Sequence, residues 1–423
     1  MYAIVILVGG KGTRVKNLLN GKSKSEIEIF SKKKIIDYQI NGLKHLNKKF
    51  FFLSNIKLHS FKKYIEKKYS KTIDYEIINE TKPLGTAGCL KNLKKLPYDF
   101  FLILDGDLIF NINFKKFISF HNNNKADCSL LVHPNNHLLD SDCIDIDDKN
   151  KVLKLYKKPH KSNYINNLCL SGIKILNKKK ILIIKKNKHQ DFTKNFLTKL
   201  IYKKNKVFAY NTREYVKDAG TTKRINQVRK DIKSIKYKLG NLSKKIPAIF
   251  LDRDGVIVKQ NDKYHYQNPS NIIKQAYEGI KIINSKGFLA VLITNQPAVA
   301  KGIISLGKLN LDFAFLTNKL GKHNVYLDRI YYCPHHPEKG FKNELRRFKI
   351  KCSCRKPNNG LLIKAIRELN IDIKKSYMIG DRLQDYKAAK KTKLKFLSVG
   401  KKNINNKIIR KNNILSAINF IFN

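Results

Sequence analysis

The sequence predicts an α/β fold with mostly parallel sheets, arranged as two domains of unlike size. Strand-like and helix-like segments alternate along the whole 423-residue chain, a length typical of two or three domains. The alternation lapses in a polar, basic stretch, KDIKSIKYKLGNLSKK. We therefore predict a domain at 1–231, a linker at 232–246 and a second domain at 247–423.

Each predicted strand is an apolar run of strand length. In the first half these runs are YAIVILV, KFFFLS, IDYEII, FFLILD and DCSLLV. The segment IIDYQINGLKHL has helical spacing, and KVLKLY with LCLSGIKIL predicts a second layer or a small mixed sheet near 150–176. In the second half the runs are IPAIFLD, FLAVLITN, RIYYC, SYMIGD and LKFLSVG.

Composition limits the class of protein. The first apolar run has seven residues and no basic region before it, so it predicts a buried strand, not a signal peptide. Seven cysteines without a secretory signal argue against a disulfide framework, and no run is long enough to cross a membrane. We expect a cytoplasmic protein with no membrane partner.

The formal net charge of +55 has two interpretations. One is an electrostatic footprint for nucleic acid or anionic lipid. The other is a drift in composition, because Lys, Asn and Ile are abundant in every segment. Charge spread over the whole chain favours the second interpretation, so no nucleic-acid partner is expected.

A glycine-rich loop follows the first strand in LVGGKGTR, and such loops close backbone N–H groups on phosphate oxygens. It contains Gly9, Gly10, Gly12, Thr13 and Arg14. A second glycine turn, ETKPLGTAG, contains Glu80, Gly85 and Thr86.

Carboxylates accompany these loops. Asp105 and Asp107 end an apolar strand in LILDGDL, where open α/β sheets bind ligands, and VKDAGT adds Asp218. Two such carboxylates can hold Mg²⁺ against the phosphates of a nucleotide. Lys24 lies in GKSKSEI, a short loop after the glycines.

These motifs, in this order, resemble the sugar-phosphate nucleotidyltransferase family over about residues 2–230. The resemblance implies a Rossmann-like, GT-A-like domain in which a sugar 1-phosphate attacks the α-phosphate of an NTP and releases pyrophosphate. Arg14 would hold the outer phosphates, Lys24 the α-phosphate, and Asp107 with Asp218 the Mg²⁺.

The motifs also bear on substrate selectivity. ETKPLGTAG looks most like the guanylyltransferases for mannose-type sugars, and Glu80 either accepts from guanine N1–H and N2–H or is a solvated loop acid. Lys158 in KKP would reach the sugar phosphate. Ser23 and Lys157 replace a proline and a glutamate of the family pattern, and Lys157 leaves the choice of sugar open.

The second half opens with IFLDRDGVI, in which Asp252 and Asp254 follow a buried strand. Spacing of two points both side chains the same way, and like carboxylates there need a cation. LITNQ adds Thr294, Asn295 and Gln296, and MIGDRLQD adds Asp381, Arg382 and Asp385.

This set resembles the haloacid-dehalogenase superfamily of phosphatases over about residues 246–400. The resemblance implies a Rossmannoid domain with Asp252 as nucleophile and Asp254 as general acid and base. Asp252, the backbone carbonyl of Asp254, and Asp381 would hold Mg²⁺. The expected substrate-binding residues are Thr294, Asn295, Gln296, Arg355, Lys356 and Arg382.

Three of the seven cysteines lie close together in YYCPHHPEKG and KCSCRKP. Cys333 with His335 and Cys352 with Cys354 form two short pairs, the usual pattern of a closed structural Zn²⁺ site. His336 is a competing ligand. A metal ion held by these residues would fix the loop that leads directly to Arg355 and Lys356, and this loop would direct the two cations toward a substrate. The pattern closely resembles the zinc-bearing D,D-heptose 1,7-bisphosphate phosphatases, a branch shared with histidinol-phosphate phosphatases.

Together the resemblances imply a bifunctional enzyme of GDP-heptose synthesis that feeds a surface glycan. It would remove the 7-phosphate of the bisphosphate and then transfer GMP from GTP to the 1-phosphate. If the phosphatase acts only on the β-anomer, the guanylyl assignment weakens. Two alternatives stay open: a hexose 1-phosphate nucleotidyltransferase joined to another phosphatase, such as a histidinol-phosphate-like one, and a non-catalytic basic binder.

Overall fold

The computed structural model describes residues 1–10, 15, 19, 22–54, 58–80, 82–185, 188–260, 271–400, 404 and 406–423. Its strands are β1 Tyr2–Leu7, β2 Glu28–Phe30, β3 Lys33–Lys34, β4 Phe50–Ser54, β5 Tyr75–Asn79, β6 Phe100–Asp105, β7 Leu108–Asn111, β8 Cys128–His133, β9 Cys143–Ile146, β10 Val152–Tyr156, β11 Cys169–Asn177, β12 Val207–Asn211, β13 Tyr215–Asp218, β14 Ala248–Leu251, β15 Leu289–Asn295, β16 Arg329–Cys333, β17 Tyr377–Gly380, β18 Lys395–Val399 and β19 Arg410–Lys411. Its α-helices are α1 Ile35–Leu43, α2 His59–Tyr69, α3 Gly85–Gly88, α4 Phe114–Asn123, α5 Lys178–Ile181, α6 Thr198–Tyr202, α7 Thr222–Lys233, α8 Ile235–Lys238, α9 Lys274–Lys286, α10 Leu306–Lys322, α11 Gly360–Leu369, α12 Leu383–Lys391 and α13 Ile414–Phe422.

The first half forms a mixed sheet of nine strands around β1. The strand order is β10–β9–β11–β6–β1–β4–β5, and β8 joins β11 and β12. β1 runs parallel to β4 and β6, whereas β11 runs antiparallel to β6. The register pairs Leu7 with Leu53 on one side and with Asp105 on the other, so these strands end at one edge.

Apolar composition explains why β1 and its neighbours form the core. Ile4, Val5 and Ile6 are fully buried, as are Leu102 and Ile103 of β6. Strands buried on both faces read as continuous apolar runs, which is how the sequence predicted them. Burial of a large apolar side chain stabilises the fold by about 1.5–3 kcal/mol.

The second half forms a sheet of six parallel strands in the order β16–β15–β14–β17–β18–β19. β14 lies between β15 and β17, and its residues are all buried. Asp252, Asn295 and Asp381 therefore lie at or directly after the carboxyl ends of neighbouring strands, where ligands of α/β sheets bind.

The chain divides into two compact units. The first contains Met1–His133, Ile144–Lys157 and Cys169–Asn241, and the second contains Pro134–Cys143, Lys158–Leu168 and Leu242–Asn423. The segment predicted as a linker, 232–246, contains the end of α7, all of α8 and then irregular chain. Among the residues described, no helix is both long and apolar enough to cross a membrane.

Candidate active sites

A cavity of about 240 Å³ lies in the first unit, at the edge where β1 and β6 end. Its lining includes Gly9 and Gly10 of the first glycine loop, while Gly12, Thr13 and Arg14 lie outside the described residues. The other lining residues are Leu7, Val8, Ser23, Lys24, Ser25, Leu53, Glu80, Gly85, Thr86, Cys89, Asp105, Gly106 and Asp107. Most of the predicted nucleotide-binding residues therefore meet at one cavity.

Asp107 lies among charged groups at this cavity. Lys24 Nζ is 3.2 Å from Asp107 Oδ2. Burial raises the pKa of Asp107, Lys24 opposes this rise, and the nearby carboxylates of Asp105 and Asp218 add to it. Such carboxylates, close together and partly desolvated, favour a bound cation.

Strand pairing brings Asp218 to the same place. β13 is antiparallel to β7 with Asp218 opposite Leu108, and the Ala219 amide donates to the Asp107 carbonyl at 2.7 Å. Asp218 Oδ1 accepts from Arg224 Nη1 at 2.7 Å and from the Gly220 amide at 3.1 Å. The pair predicted to share a metal ion is therefore close in space.

Ser23, which replaces the proline of the family pattern, ties the Lys24 turn to β1. Its hydroxyl donates to the Val8 carbonyl at 2.8 Å, and its amide donates to Glu26 Oε2 at 3.0 Å. Ser23, Ser25 and Glu26 are buried. These hydrogen bonds fix the backbone from which Lys24 extends into the cavity.

The second glycine turn is held by the segment at 190–192. Gly85 has φ +77°, and a Cβ there would lie 2.6 Å from the Gln190 carbonyl oxygen, so only glycine fits without strain. The Thr86 hydroxyl accepts from the Phe192 amide at 2.8 Å and donates to Asp191 at 3.3 Å.

Glu80 lines the cavity with half of its carboxylate unused. Oε2 accepts from the Leu84 amide at 3.4 Å, whereas Oε1 is buried and has no hydrogen-bond partner among the described residues. Burial raises the pKa of this carboxyl to about 7, and the Leu84 hydrogen bond only partly opposes the rise. A buried acceptor without a partner is costly, so a ligand donor there would stabilise it.

Two cations in the first unit were not predicted. Lys174 Nζ lies 2.8 Å from Asp105 Oδ1, and its side chain is 6% exposed. Arg224 holds Asp218, as described above. Neither belongs to a sequence motif; Lys174 is the basic residue inside the apolar run of β11.

Lys158, predicted to reach the sugar phosphate, belongs to the second unit. Its Nζ donates to the Asp140 carbonyl at 2.9 Å and to Asp140 Oδ1 at 3.0 Å. The role of Lys158 stays a prediction.

The second candidate site lies after β14 in the second unit. Lys356 Nζ is 2.8 Å from Asp252 Oδ1 and 2.6 Å from Asp385 Oδ1, and it donates to the Ile293 carbonyl at 2.9 Å. Burial alone would lower the pKa of Lys356, but Asp252 and Asp385 outweigh it and raise the pKa. A charged lysine thus contacts the predicted nucleophile.

Three carboxylates could hold a metal ion here. Oxygens of Asp252, Asp381 and Asp385 lie within 4.8 Å of one another. Burial, then Asp252 and Asp385, raise the pKa of Asp381 to about 7, and its Oδ1 is buried without a hydrogen-bond partner among the described residues. A buried carboxylate oxygen that accepts no hydrogen bond, beside two other carboxylates, fits a divalent cation. Asp385 was noted at the strand end but not predicted as a ligand.

Asp254 is held by two neighbours. Arg253 Nε and Nη2 donate to its two oxygens at 2.8 and 3.3 Å, and Gln296 Nε2 donates to Oδ2 at 3.2 Å. Gln296 also donates to the Thr294 hydroxyl at 2.9 Å. Arg253 is 1% exposed and was not predicted, because in the sequence nothing distinguishes it from the many other basic residues.

The remaining residues predicted to bind substrate are Asn295, Arg355 and Arg382. Asn295 exchanges hydrogen bonds of 3.0 Å with the Lys356 backbone, which fixes the strand end against the Lys356 loop. Arg355 Nη1 donates to the His335 carbonyl at 3.2 Å. Arg382 is half exposed, and its Nε is 3.9 Å from Asp381.

Cys333, His335, Cys352 and Cys354 form one compact group. The three sulfurs lie 3.2 to 3.6 Å apart, and His335 Nδ1 is 3.3 Å from Cys354 Sγ and 3.7 Å from Cys333 Sγ. His336 lies outside the group, with Nε2 3.6 Å from Glu338 and its ring against Phe341. Three cysteine sulfurs and one imidazole nitrogen at these separations suit one tetrahedral metal ion such as Zn²⁺.

Comparisons with known proteins find a different enzyme family in each half of the chain. Residues 3–235, more than half of the chain, match the nucleotidyl transferase family model, and residues 353–414 match the HAD-hydrolase-like model. The D-glycero-beta-D-manno-heptose-1,7-bisphosphate 7-phosphatase of Salmonella typhi is 36% identical over 148 residues, 35% of this chain and 77% of that protein. The chain belongs to the nucleotidyl transferase family and to the family of these 7-phosphatases. The fold class predicted from the sequence, a nucleotidyltransferase domain followed by a haloacid-dehalogenase-like domain, is confirmed, and the chain is an enzyme of both classes.

Two further known proteins are each similar to one of the two domains of this chain. The 7-phosphatase of the same name from Pasteurella multocida is 39% identical over 148 residues, 35% of this chain and 78% of that protein. The structure of HddC from Yersinia pseudotuberculosis is 26% identical with a TM-score of 0.48, covering 55% of this chain and all of that one.

Proposed function

We propose that the chain catalyses two consecutive reactions on one sugar. The phosphatase domain removes the 7-phosphate of D-glycero-D-manno-heptose 1,7-bisphosphate, and the nucleotidyltransferase domain transfers a nucleotidyl group, preferably GMP, to the remaining 1-phosphate. The observation that carries this proposal is the union of both domains in one chain, because the phosphatase product keeps the phosphate that acts as nucleophile next.

In the phosphatase domain, an Asp252 oxygen attacks phosphorus while the bond from phosphorus to the C7 oxygen breaks, and Asp254 gives that oxygen its proton. Water then attacks the aspartyl-phosphate and loses a proton to Asp254, which releases orthophosphate. Lys356 orients Asp252 and neutralises phosphoryl charge. Mg²⁺ held by Asp252 and Asp381, with Asp385 beside them, would supply further positive charge.

In the nucleotidyltransferase domain, an oxygen of the sugar 1-phosphate attacks the α-phosphorus of the NTP, and pyrophosphate leaves. Such transfers depend on positioning and charge neutralisation. Lys24 lines the cavity and would offset charge on the α-phosphate. Arg14 would hold the outer phosphates, and Asp107 with Asp218 would hold Mg²⁺.

Glu80 supports guanine as the base. Its buried Oε1 has no hydrogen-bond partner in the described part of the chain and lines the cavity. The N1–H and N2–H groups of guanine are neighbouring donors that suit one carboxylate.

Glu80 gives a pH-dependence that can be measured. With a pKa of about 7, the carboxyl is protonated below that pH and loses its capacity to accept both guanine donors. The KM for GTP should therefore rise roughly tenfold between about pH 8 and about pH 6. Glu80→Gln should raise the KM about 10- to 100-fold at high pH and flatten this profile. Glu76→Gln, on exposed β5 surface, is the matched control; an unchanged slope in Glu80→Gln would exclude this role.

For the cysteine group we propose structural Zn²⁺, held by Cys333, His335, Cys352 and Cys354. The ion would join β16 to the loop that leads to Lys356. A structural zinc ion contributes about 10–16 kcal/mol of apparent binding energy to local folding in small domains.

Replacing one ligand should release the ion. Cys352→Ser is expected to lower bound zinc from one per chain to near zero, to lower the melting temperature of the phosphatase domain and to reduce phosphate release. Metal analysis and calorimetry measure these effects. Cys128→Ser, a buried thiol of β8, is the control and should keep its zinc; full zinc retention in Cys352→Ser would contradict the site.

The choice of substrate is tested with purified protein. Heptose and mannose 1-phosphates are each supplied with GTP, ATP, CTP and UTP, and pyrophosphate is measured. The proposal expects heptose 1-phosphate with GTP to give the highest kcat/KM. A preference for mannose 1-phosphate would favour the hexose alternative, and 7-phosphate release from only the β-bisphosphate would contradict guanylyl transfer as the next step.

A further inference from the structure

A salt bridge between Asp105 and Lys174 lies at the wall of the cavity in the first unit. Lys174 Nζ is 2.8 Å from Asp105 Oδ1, donates to the Gly172 carbonyl at 3.4 Å and lies 4.8 Å from the centre of the Phe192 ring. The lysine side chain is 6% exposed, whereas that of Asp105 is 37% exposed and lines the cavity. A buried ammonium group therefore holds a carboxylate that a ligand in the cavity can reach.

The backbone leaves room for the second oxygen of this carboxylate. Gly172 has φ +86°, and a Cβ there would lie 2.7 Å from Asp105 Oδ2, so a side chain at this position would displace that oxygen. Among the described residues, Lys174 is the one hydrogen-bond donor to the carboxylate. An ionised carboxylate offers about four acceptor positions, so most of them are left for a ligand.

The order of groups along the edge of the sheet puts Asp105 between the two ends of the cavity. Glu80 follows β5 and Asp105 ends β6, and β1 and β4 lie between those strands. After Asp105 the chain turns through Gly106 to Asp107, which contacts Lys24. Asp105 therefore lies between the carboxylate proposed to bind the base and the groups proposed to hold the phosphates and Mg²⁺.

Electrostatic effects connect Asp105 with both ends of the cavity. Burial raises the pKa of the Cys89 thiol, which also lines the cavity, and Glu80 adds to this rise. Lys174 opposes the rise, and Asp105 adds to it. Burial raises the pKa of Asp107 as well, and Asp105 is among the charges that add to that rise. A ligand that extends from Glu80 to Asp107 would therefore pass Asp105.

We propose that Asp105 accepts hydrogen bonds from the ribose 2′- and 3′-hydroxyls of the nucleotide, and that Lys174 is the residue that positions it. The inference rests on the proposed function, because the ribose is the part of an NTP that joins the base to the phosphates. An acidic residue similarly binds a ribose hydroxyl in dinucleotide-binding α/β sheets. The pair would make the transfer reaction select ribonucleotides over nucleotides that lack these hydroxyls.

The test compares GTP with 2′,3′-dideoxy-GTP, which lacks only the two hydroxyls, as donors to heptose 1-phosphate. The wild type is expected to have a kcat/KM about 10- to 100-fold higher for GTP. Asp105→Asn should lower kcat/KM for GTP about 10-fold and leave the value for dideoxy-GTP within about twofold of the wild type. Asp74→Asn removes the same charge from an exposed ion pair with Lys49 and should change neither value.

Lys174→Met tests the positioning role, because it removes the donor that holds Asp105 and leaves the carboxylate in place. It should lower kcat/KM for GTP about 3- to 10-fold and spare dideoxy-GTP. Combining it with Asp105→Asn removes both charges together, so no buried charge is left without its partner. The double variant should keep the melting temperature of the wild type and should discriminate between the two nucleotides no better than Asp105→Asn, which decides the case if a single variant fails to fold.

An equal fall on both nucleotides in Asp105→Asn, or equal use of both by the wild type, overturns the inference. A rise in the KM for heptose 1-phosphate without any change for GTP also overturns it, because the carboxylate would then bind the sugar. If the wild type forms no pyrophosphate with any of the four NTPs, the proposed transfer fails and the inference fails with it. If another NTP replaces GTP, only the choice of base fails, and that NTP is compared with its own dideoxy analogue.

Discussion

Asp252→Asn is expected to lower phosphate release from heptose 1,7-bisphosphate by at least about 10³-fold. The amide cannot form the aspartyl-phosphate, and it removes the partner 2.8 Å from Lys356 Nζ. Lys356 keeps its contact with Asp385 at 2.6 Å, so the fold should persist. Transfer from GTP to heptose 1-phosphate, supplied directly, should proceed at the wild-type rate.

Glu278→Gln provides the control for this variant, because Glu278 is an exposed carboxylate on α9 of the same unit. It should match the wild type in both assays. Phosphate release by Asp252→Asn at more than a few per cent of the wild-type rate would show that another group attacks phosphorus.

Asp107→Asn is expected to lower nucleotidyl transfer by about 10²- to 10³-fold and to spare phosphate release. The substitution removes negative charge from a partly buried position near Lys24, Asp105 and Asp218, where a shared divalent cation would be held. Pyrophosphate formation from GTP and heptose 1-phosphate measures the loss.

Asp148→Asn, an exposed aspartate of the first unit, removes the same charge away from the cavity and should have no effect. Loss of both reactions in Asp107→Asn, with an unchanged melting profile, would contradict two independent sites. Full activity would show that Asp107 does not hold the catalytic ion.

The sequence predicts the strands and the carboxylates at their ends because both are local features. An apolar run followed by aspartate marks Asp105, Asp252 and Asp381 without any tertiary information. The two cysteine pairs are equally local, and the structure brings all four ligands together. These features account for most of the two candidate sites.

Residues that reach a site only because of strand pairing or tertiary packing could not be predicted from local sequence features. Lys174 reads as an outward lysine in a strand, and only the pairing of β11 with β6 brings it to Asp105. Arg224 reads as one of many basic residues on a polar helix. In a chain with a net charge of +55, the functional cations have no distinguishing local signal.

The central claim is that one chain performs both reactions on the same sugar. The most direct measurement incubates the purified protein with heptose 1,7-bisphosphate, GTP and Mg²⁺ and determines the products by mass spectrometry. The account predicts orthophosphate, pyrophosphate and a guanosine diphosphate heptose. The claim would be contradicted if the bisphosphate gave orthophosphate but no nucleotide sugar, and if heptose 1-phosphate, supplied with each of the four NTPs, also gave no nucleotide sugar.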